Sequence, residues 1–563
     1  MITRRPKLQD VIMINDLCFS KEYEYVVEMY DNQDELLGSG RLKFGAGQFV
    51  RVEIDGFFSL HALDEDSNLN AKAENGDVFT LITCTLEDFT IYADLIVCGR
   101  VDSSIESITV RFSNISEWFL YDQRVHSKPG ESIIWGDPPP PIEATVITAL
   151  DSFNINSRVD SFILNKSDKR VIREHVHIIF TKNDKPFEFL DIKEKPSQLA
   201  CLLSILIAYP ISITHIWIAE KEGQHFPSYF PAFEKPKRAF QKNQFWRNSL
   251  IRRKTLDAHW PDVFARYYNS PHRATIWARL AGMQRYKGFW EYRVLGYVTL
   301  LDSYTDVISR VDAPPLKKDR KSERAAVLQQ LTKVTPPLTD LQLTKIENIL
   351  NNSMPDKRVA RTFKEKYDYV MSKTNPEVAK IINITESDFK IIKGARDAIA
   401  HNNALKLERY PYEKIHPIIG KVGLLLTFMA LNEFGISSSD FVRSLGNTGN
   451  ELRNSEALDM TQLEKILHPE SFFSVSEALF EQISNFKQER LHPVFTLNSN
   501  GEIKYSEEQT LLYRQWINSR PQQSRPAWEV LGVDKDSVTI VDQMHVEFED
   551  RVSKLIFAHI IKI

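Results

Sequence analysis

Several common signatures are missing from this chain of 563 residues. No apolar run is long and unbroken enough for a membrane span, because the longest, at 199–219, contains Pro210 and polar residues. The opening residues, MITRRPKLQD, lack the apolar core of a signal peptide. These absences predict a cytoplasmic protein that does not enter a membrane.

Cysteine is scarce, and the residues present are scattered. Cys18, Cys84, Cys98 and Cys201 show no CxxC spacing, which favours reduced core thiols over a disulfide framework or a zinc site. The sequence also has no Gly-rich nucleotide loop, no nucleophile elbow and no metal-spaced cluster of His, Asp and Glu. It therefore predicts neither a metal nor a cofactor.

The charge is distributed unevenly along the chain, although the net charge is only −4. Residues 1–120 carry 21 Asp and Glu against 10 Lys and Arg, a net of −11, whereas the remainder carries 54 against 61, a net of +7. An acidic front end repels nucleic acid and a basic remainder attracts it. A polyanionic partner is therefore expected at the C-terminal part, unless the regional charge is only solvated surface.

The first half of the chain predicts strands. Residues 15–120 contain short alternating runs separated by turn signals such as NAKAENGD, a spacing typical of a β-sandwich or an open barrel. Further strand-like runs follow from 142 to 220, with a helix-like segment at 196–208. The Pro-rich segment that ends at Pro138–Pro141 predicts a stiff linker between the two.

The basic stretch at 235–254 carries eight basic residues and no acidic one. Phe240, Phe245 and Trp246 are interleaved with them. This mixture suits nucleic-acid phosphates together with base stacking. It suits equally well a connector whose aromatic residues dock on a neighbouring domain.

The pattern becomes helical from about 260. Thr385 and Asp388 fit a capping box, Pro411 separates two helices, and Gly435 ends the second. The tail from 490 mixes a hairpin-like piece, PVFTLNSNGEIKY, with further helices. Candidate helices lie at 286–311, 322–333, 338–352, 357–373, 386–408, 412–434, 460–467 and 473–489.

Together these patterns predict a multidomain α+β protein, with β-sandwich-like modules at the N-terminus and an all-α bundle behind them. The expected divisions are an acidic β-rich domain at 1–126, a Pro-rich linker at 127–141, a second β-rich or α+β module at 142–235, a basic connector at 236–259, a helical domain at 260–490 and a C-terminal extension at 491–563.

The segment KGARDAIAHNN, residues 393–403, is the strongest candidate for chemistry. Arg396 and His401 stand with four residues between them, and Asp397 and Asn402 are the polar residues beside each. In RNA, the 2′-hydroxyl attacks the neighbouring phosphorus when a base removes its proton and an acid protonates the leaving oxygen. A histidine can do either at neutral pH, and a guanidinium can hold the phosphate.

Helical geometry constrains this segment further. At about 100° per residue, Asp397 and His401 lie on nearly one face, so the carboxylate could orient the imidazole. Arg396 falls beside Phe389 and Ile392 on the apolar stripe, where an arginine needs a partner. Gly394, Ala395, Ala398 and Ala400 are small enough to admit a second backbone. Since one helix supplies one histidine, two copies about a two-fold axis would complete the site.

Other Arg and His pairs with similar spacing lack this context. Arg170–His175 lies in a strand-like region, a proline interrupts Arg266–His272 and Arg409–His416, and a lysine follows the arginine of Arg253–His259. Basic residues near the candidate segment could lead RNA to it, although such residues are usually a solvated face. These are Lys393, Arg358 and Arg361.

The segment RDAIAH on a late helix of a helical unit resembles the signature of the HEPN superfamily of RNases. The layout as a whole is similar to the ApeA-type anti-phage proteins, with an acidic β-rich front end that closes in a phrase like FSNISEWFL, residues 112–120. The resemblance covers most of residues 15–435. It implies a homodimeric or larger, metal-independent endoribonuclease of abortive-infection defence, with Arg396 and His401 in the catalytic roles and Asp397 and Asn402 in support.

Two other functions stay open at this point. The helical domain could be a catalytically silent HEPN module that binds RNA or a protein. Alternatively, the front modules could bind a glycan, a phage protein or another trigger, and the chain would act mainly as a receptor.

Overall fold

The computed structural model of this chain describes residues 17–59, 67–101, 104–120, 125–126, 134–166, 169–182, 184–220, 223–232, 245–286, 288–312, 321–353, 361–403, 407–454, 457–519 and 525–563. The chain divides into two compact units. The first comprises Met1–Asn375 and Ile384–Ala457, and the second comprises Pro376–Asn383 and Leu458–Ile563.

The strands nearest the N-terminus close into an antiparallel barrel. They are β1 (Glu22–Tyr30), β2 (Leu36–Gly45), β3 (Gln48–Asp55), β4 (Ser67–Ala73), β5 (Val78–Glu87) and β6 (Thr90–Cys98). β1 pairs with β2 and β4, β3 joins β2 to β6, and β5 completes the ring between β4 and β6. Alternate side chains such as Met29, Leu42 and Leu81 fill its interior and are fully buried. Of the two forms that the strand spacing allowed, this part of the chain adopts the barrel.

A second set of strands extends the barrel sheet. They are β7 (Ser107–Phe112), β10 (Glu143–Ile147), β11 (Ser152–Lys166), β12 (Lys169–Thr181), β13 (Ile213–Ala219) and β14 (His225–Tyr229), while β8 (Val125–His126) and β9 (Ile134–Trp135) form a separate pair. Their order is β10-β11-β12-β7-β13-β14, and β14 continues onto β6 of the barrel. The predicted linker at 127–141 therefore divides the chain but not the sheet, because β7 lies between β12 and β13.

One face of this extension sheet is covered by helix. α1 (Ile115–Phe119) follows β7, and α2 (Phe189–Ile207) packs on β7 and β13. Glu188 and Asp191 form a capping box at the start of α2. Leu202 and Leu206 of α2 are fully buried, so the core of this region lies between α2 and the sheet.

The remainder of the first unit is helical, in agreement with the predicted mixed α+β class. A π-helical turn, Arg273–Trp277, precedes α6. The helices are α3 (Phe245–Asn248), α4 (Arg253–Leu256), α5 (Trp260–Asn269), α6 (Ala278–Arg285), α7 (Trp290–Asp312), α8 (Lys321–Leu331), α9 (Asp340–Ser353), α10 (Phe363–Lys373), α12 (Glu386–Ala400), α13 (Tyr412–Glu433), α14 (Ser438–Asn447) and α15 (Glu451–Asn454). The predicted helices at 286–311, 322–333, 338–352 and 412–434 match within a few residues.

α13 is the central helix of this region. It begins after Pro411 and ends before Gly435, as predicted, and Gly435 has a φ of 92° that favours glycine. Among the described residues it is the one helix long and apolar enough to cross a membrane, but 83% of its apolar window is buried inside the fold. Burial against the rest of the chain accounts for its composition.

α8 and α9 form a helical hairpin that differs from its surroundings. No residue from 322 to 353 is buried, and α9 contributes none to the core. Val327, Leu341 and Ile349 are among its exposed apolar side chains. In the sequence, this hairpin lies between α7 and α10.

The second unit contains a mixed sheet with short helices. Its elements are α11 (Pro376–Ile382), α16 (Met460–Leu467), β15 (Phe472–Ser474), α17 (Glu477–Ser484), β16 (Val494–Leu497), β17 (Ile503–Tyr505), α18 (Glu507–Asn518), α19 (Ala527–Leu531), β18 (Val538–Phe548) and β19 (Arg551–Lys562). The strand order is β15-β18-β19-β16-β17, around buried Phe495, Met544 and Leu555. The predicted hairpin-like piece is β16 and β17. This unit starts at Leu458 and takes in α11, so its boundary differs from the predicted one at 490.

All four cysteines are free. Cys84 and Cys98 are buried in the barrel, and burial raises the pKa of the Cys84 thiol to about 12 and that of Cys98 to about 11. Both are therefore core thiols, as expected. Cys18 and Cys201 are partly buried.

Candidate functional site

Arg396 lies on α12, beside the face that this helix buries. α12 packs on α7 and α13, and it begins at the predicted capping box, where the Thr385 side chain accepts a hydrogen bond from the Asp388 backbone N–H. Phe389 and Ile392 are buried, and the Phe389 ring lies 4.9 Å from that of Phe363 on α10. The Arg396 side chain is 26% exposed, so it is a half-buried cation at the edge of the core.

Two carboxylates hold the Arg396 guanidinium. Nη2 donates to Oδ2 of Asp302 on α7 at 2.8 Å, and Nη1 donates to Oδ1 of Asp397 at 2.9 Å. The ring of Phe363 lies 5.8 Å from the guanidinium carbon. These contacts supply the partner that a half-buried arginine requires, and they fix the plane of the guanidinium.

Asp302 connects Arg396 to a longer row of charged side chains. The second oxygen of Asp302 accepts from Nζ of Lys366 on α10 at 3.0 Å, and Lys366 also lies 3.0 Å from Asp306. Arg310 binds Asp306 at 2.7 Å. Burial alone would lower the pKa of Lys366, but its bonds to Asp302 and Asp306 raise it above the ordinary value. Charges of alternating sign therefore link α7, α10 and α12.

His401 lies where α12 ends. The Asn402 N–H donates to the Ile399 carbonyl at 3.0 Å, and the Asn403 N–H donates to the Ala398 carbonyl at 2.8 Å. Asn402 has a φ of 48°. This is a Schellman cap with asparagine at the left-handed position. The cap explains Asn402 structurally and leaves the His401 side chain exposed to solvent.

The predicted contact between Asp397 and His401 does not form. The helix predicted for 386–408 ends at Ala400, and the Asp397 carboxylate binds Arg396 instead. The His401 backbone N–H bonds the Asp397 carbonyl at 3.2 Å, but among the described residues no side chain binds the imidazole. The structure thus places Arg396 and His401 on one helix end, with Asp397 serving the arginine.

The small residues of this segment are largely used within the chain. Ala395 and Ala398 are buried in the core of the unit. A Cβ on Gly394 would overlap the ring of Tyr410, which covers that position. Ala400 alone of the four is exposed, so the predicted approach of a second backbone has room only at that end of α12.

The residues predicted to lead RNA to the site differ in their surroundings. Lys393 is exposed on α12. Arg361 donates to the Ser309 carbonyl at 3.3 Å, and its guanidinium carbon lies 5.7 Å from the Tyr369 ring, so it is tied to α7 and α10. Arg358 lies outside the described residues.

The described part of the basic connector, from residue 245, is built into the fold. Phe245 is buried, with its ring 5.1 Å from that of Tyr209. Arg253 is also buried and donates to the Pro140 carbonyl. The guanidinium carbons of Arg247 and Arg252 lie 5.1 and 5.2 Å from the Trp246 ring. These contacts fit docking of the aromatic residues on a neighbouring part of the chain.

Sequence reasoning missed Asp302, which binds Arg396 from α7, and Lys366, which binds the same aspartate. Asp302 and Lys366 are far from Arg396 in the sequence, and no local motif marks either residue. The signal present was indirect, since an arginine on an apolar stripe demands an anion. Among the described residues, no group of three His, Cys, Asp or Glu side chains is placed to hold a metal ion.

Comparison with known proteins identifies the front of the chain. Residues 17–267 match the family model described as ApeA N-terminal domain 1. The matched range takes in the barrel, the extension sheet, α2 and most of α5, whereas α12 lies beyond it. The chain matches no curated protein and no solved structure. Residues 17–267 are therefore similar to an ApeA N-terminal domain, and this similarity supports an ApeA-type protein.

Proposed function

We propose that the chain is a metal-independent RNA endonuclease of abortive-infection defence, with its active centre at Arg396 and His401. The observation that carries the proposal is an exposed imidazole at the end of α12, on the same helix as an arginine held by two carboxylates. The ApeA N-terminal domain supports the defence context. Its β-rich part would sense infection or restrain the nuclease.

The chemistry follows from the two side chains. His401 takes the proton of a 2′-hydroxyl, or gives one to the leaving 5′-oxygen, as the new bond to phosphorus forms and the old one breaks. Arg396 binds the phosphate and offsets the charge of the transition state with the N–H groups that Asp302 and Asp397 leave free. The products are a 2′,3′-cyclic phosphate and a 5′-hydroxyl.

A single chain offers one histidine of this kind, whereas the reaction uses a base and an acid. We propose that two copies of the chain form the active species. The α8–α9 hairpin supports this, because no side chain from 322 to 353 is buried, and helices of 11 and 14 residues are marginal in water unless they pack on a partner.

The dimer is tested with two substitutions on the hairpin. Leu341 and Ile349 are 70% and 63% exposed, so L341E/I349E leaves the core of the unit intact and places two charges on the open surface. We expect light scattering to give a dimer for the wild type and a monomer for this variant. Leu150→Glu, at a 92% exposed position elsewhere, should leave the dimer unchanged.

The catalytic proposal is tested with His401→Ala and Arg396→Ala on pooled cellular RNA. Each should reduce the cleavage rate by about 10²- to 10⁴-fold, with product ends mapped as cyclic phosphates and with chelator present throughout. His468→Ala is the control, since that histidine is 64% exposed and lies in the second unit. Cleavage that persists in both variants, or that stops with chelator, contradicts the proposal.

One observation favours a second candidate, a catalytically silent helical module that binds RNA or a protein. Both terminal nitrogens of Arg396, Nη1 and Nη2, already bind carboxylates of the same chain, as they would in a purely structural ion pair. In that case the wild type would bind RNA without producing cyclic phosphate ends, and Arg396→Ala would lower the stability without changing any reaction rate.

A further inference from the structure

The face of the extension sheet that points away from α2 differs in composition from the face under α2. Toward α2, the central strands present aliphatic side chains such as Val110, Ile178 and Ile216, all nearly inaccessible to solvent. The opposite, outward positions of β11, β12, β7 and β13 include a set of basic, imidazole and aromatic side chains among polar ones such as Asn156 and Thr109. We call this set the outer strip; it comprises Arg158, Phe162, Arg173, His175, His177, Arg111, His215 and Trp217.

Strand register places the outer strip in rows. His177 is paired with Arg158 across β11 and β12, and His215 is paired with Arg111 across β7 and β13. Because Ile178 is paired with Val110, His177 and Arg111 are also neighbours. Arginine and histidine thus alternate across four adjacent strands.

The rings of the outer strip contact one another. His215 stacks on Trp217 at 5.4 Å with 3° between the planes, and His177 meets the same indole edge-on at 5.4 Å. Phe162 lies 5.4 Å from His175 and is 40% exposed. The outer strip therefore has an exposed aromatic ring, Phe162, on the same face as rings that already stack on one another.

Positive charge dominates the outer strip. Asp160 is the acidic residue at the outward positions of these four described strands, and it binds Arg158 at 3.0 Å and His177 at 2.7 Å. Burial and the charge of Arg111 lower the pKa of His175 to about 4 and that of His215 to about 3, so both rings are neutral at neutral pH. Three arginines therefore face one carboxylate.

One polar atom of the strip has no partner. His177 uses Nδ1 for Asp160, whereas its Nε2 is buried and makes no hydrogen bond in the described structure. A buried polar atom of this kind is usually satisfied by water or a ligand. His177 is the cross-strand neighbour of Arg111 in this row.

We propose that the outer strip binds a single-stranded nucleic acid. Arginines at Arg111, Arg158 and Arg173 suit backbone phosphates, and the rings between them suit unpaired bases, as on other β-sheet platforms for single strands. A duplex would hide its bases from these rings. The barrel provides the contrast, since residues 17–101 carry 16 Asp and Glu against 6 Lys and Arg, a net of −10. The site goes beyond the proposed catalysis at Arg396 and His401.

The test measures binding of a fluorescent oligonucleotide of about a dozen nucleotides to the full chain by anisotropy. The His401→Ala background and 2′-O-methyl RNA keep cleavage out of the measurement. Arg158→Glu should weaken binding by about tenfold or more, and the slope of log affinity against log salt should become shallower by about 0.7 for each phosphate that is no longer bound. Phe162→Ala should weaken binding less and leave the salt dependence unchanged.

The matched control is Arg100→Glu on the barrel. Arg100 is 54% exposed and Arg158 is 56% exposed, and each binds one aspartate, so both variants make the same charge change on a similar surface. Equal weakening by the two variants would overturn the proposal, as would an acidic peptide that displaces the oligonucleotide, or no binding at low salt. The affinities for RNA and DNA single strands are compared to identify which nucleic acid the site prefers. A chain that binds here but never cleaves RNA refutes the nuclease and leaves this site standing.

Discussion

The extension sheet and the helices around Arg396 place their charges in opposite ways. In the sheet, arginines such as Arg158 stand at outward positions over an aliphatic core. Around Arg396, the charges lie between helices, with side chains of Arg396, Asp302 and Lys366 only 15–26% exposed. Exposed charges are screened by water and are replaceable, whereas half-buried ones depend on each other. The same residue types can therefore be replaced one at a time in one region and depend on each other in the other.

Asp302→Ala should give the largest loss of stability. It leaves Arg396 and Lys366 each without one partner in a half-buried site, so we expect the free energy of unfolding to fall by about 3 kcal/mol. Asp34→Ala is the counterpart on the barrel, where Asp34 is 61% exposed and binds Arg100, and it should cost about 0.5 kcal/mol or less. Denaturant unfolding measures both. Equal losses would remove the contrast between the two regions.

Gly394→Ala tests how tightly the helical region is packed beside Arg396. The added methyl would overlap the Tyr410 ring, so we expect a loss of about 2 kcal/mol. Gly282 in α6 has no atom within 4 Å of a Cβ, and Gly282→Ala should be neutral or stabilising by up to about 1 kcal/mol. Thermal melts of the two variants give the comparison. A neutral Gly394→Ala would show that Tyr410 is free to move away.

The acid sensitivity of the sheet follows from its histidines. The folded pKa values of about 4 for His175 and about 3 for His215 lie below the ordinary 6.5, so the unfolded chain binds more protons between those values. Proton uptake by these two histidines in the unfolded chain therefore destabilises the fold increasingly as the pH falls below 6.5. His215→Gln should recover about 1 kcal/mol of the stability lost between neutral pH and pH about 5. An unchanged pH profile in this variant contradicts the assignment.

Asn402 provides the smallest and most specific effect. Asn402→Ala places a side chain less suited to the left-handed region at the cap, which should cost about 1 kcal/mol, whereas Asn402→Gly should cost nothing. If its role is to cap α12 and not to contact RNA, Asn402→Gly also retains the wild-type cleavage rate. An Asn402→Gly variant that is stable but does not cleave RNA would indicate that the Asn402 side chain contacts the substrate.

Local signals in the sequence were sufficient for several helices of the second half, whereas the helix predicted at 473–489 is the strand β15 followed by the shorter α17. Each boundary that was predicted well is set by residues within a few positions of it, such as the capping box at Thr385 and Asp388 or the break at Pro411 and Gly435. The end of α12 is the exception. HNN contains no glycine, and only the two hydrogen bonds of the Schellman cap reveal that asparagine takes the left-handed position there.

Strand pairing was beyond those local signals. The sequence indicated short alternating strands, but pairing of β1 with β4 and insertion of β7 between β12 and β13 join segments far apart in the chain. The predicted linker at 127–141 follows a real change in composition, yet β7 before it and β10–β14 after it belong to one sheet. Pairing partners depend on the whole topology, which residue patterns do not encode locally.

By itself the sequence determined the class of the fold, most helices of the second half, and the segment that unites Arg396 with His401. The tertiary structure alone decided what each side chain of that segment does. It assigned Asp397 to the arginine, brought Asp302 and Lys366 to the same place, and gave the space beside Gly394 to Tyr410. The physical reason is that hydrogen bonding within one helix is local, whereas burial of a charge is settled by whichever distant residues pack against it.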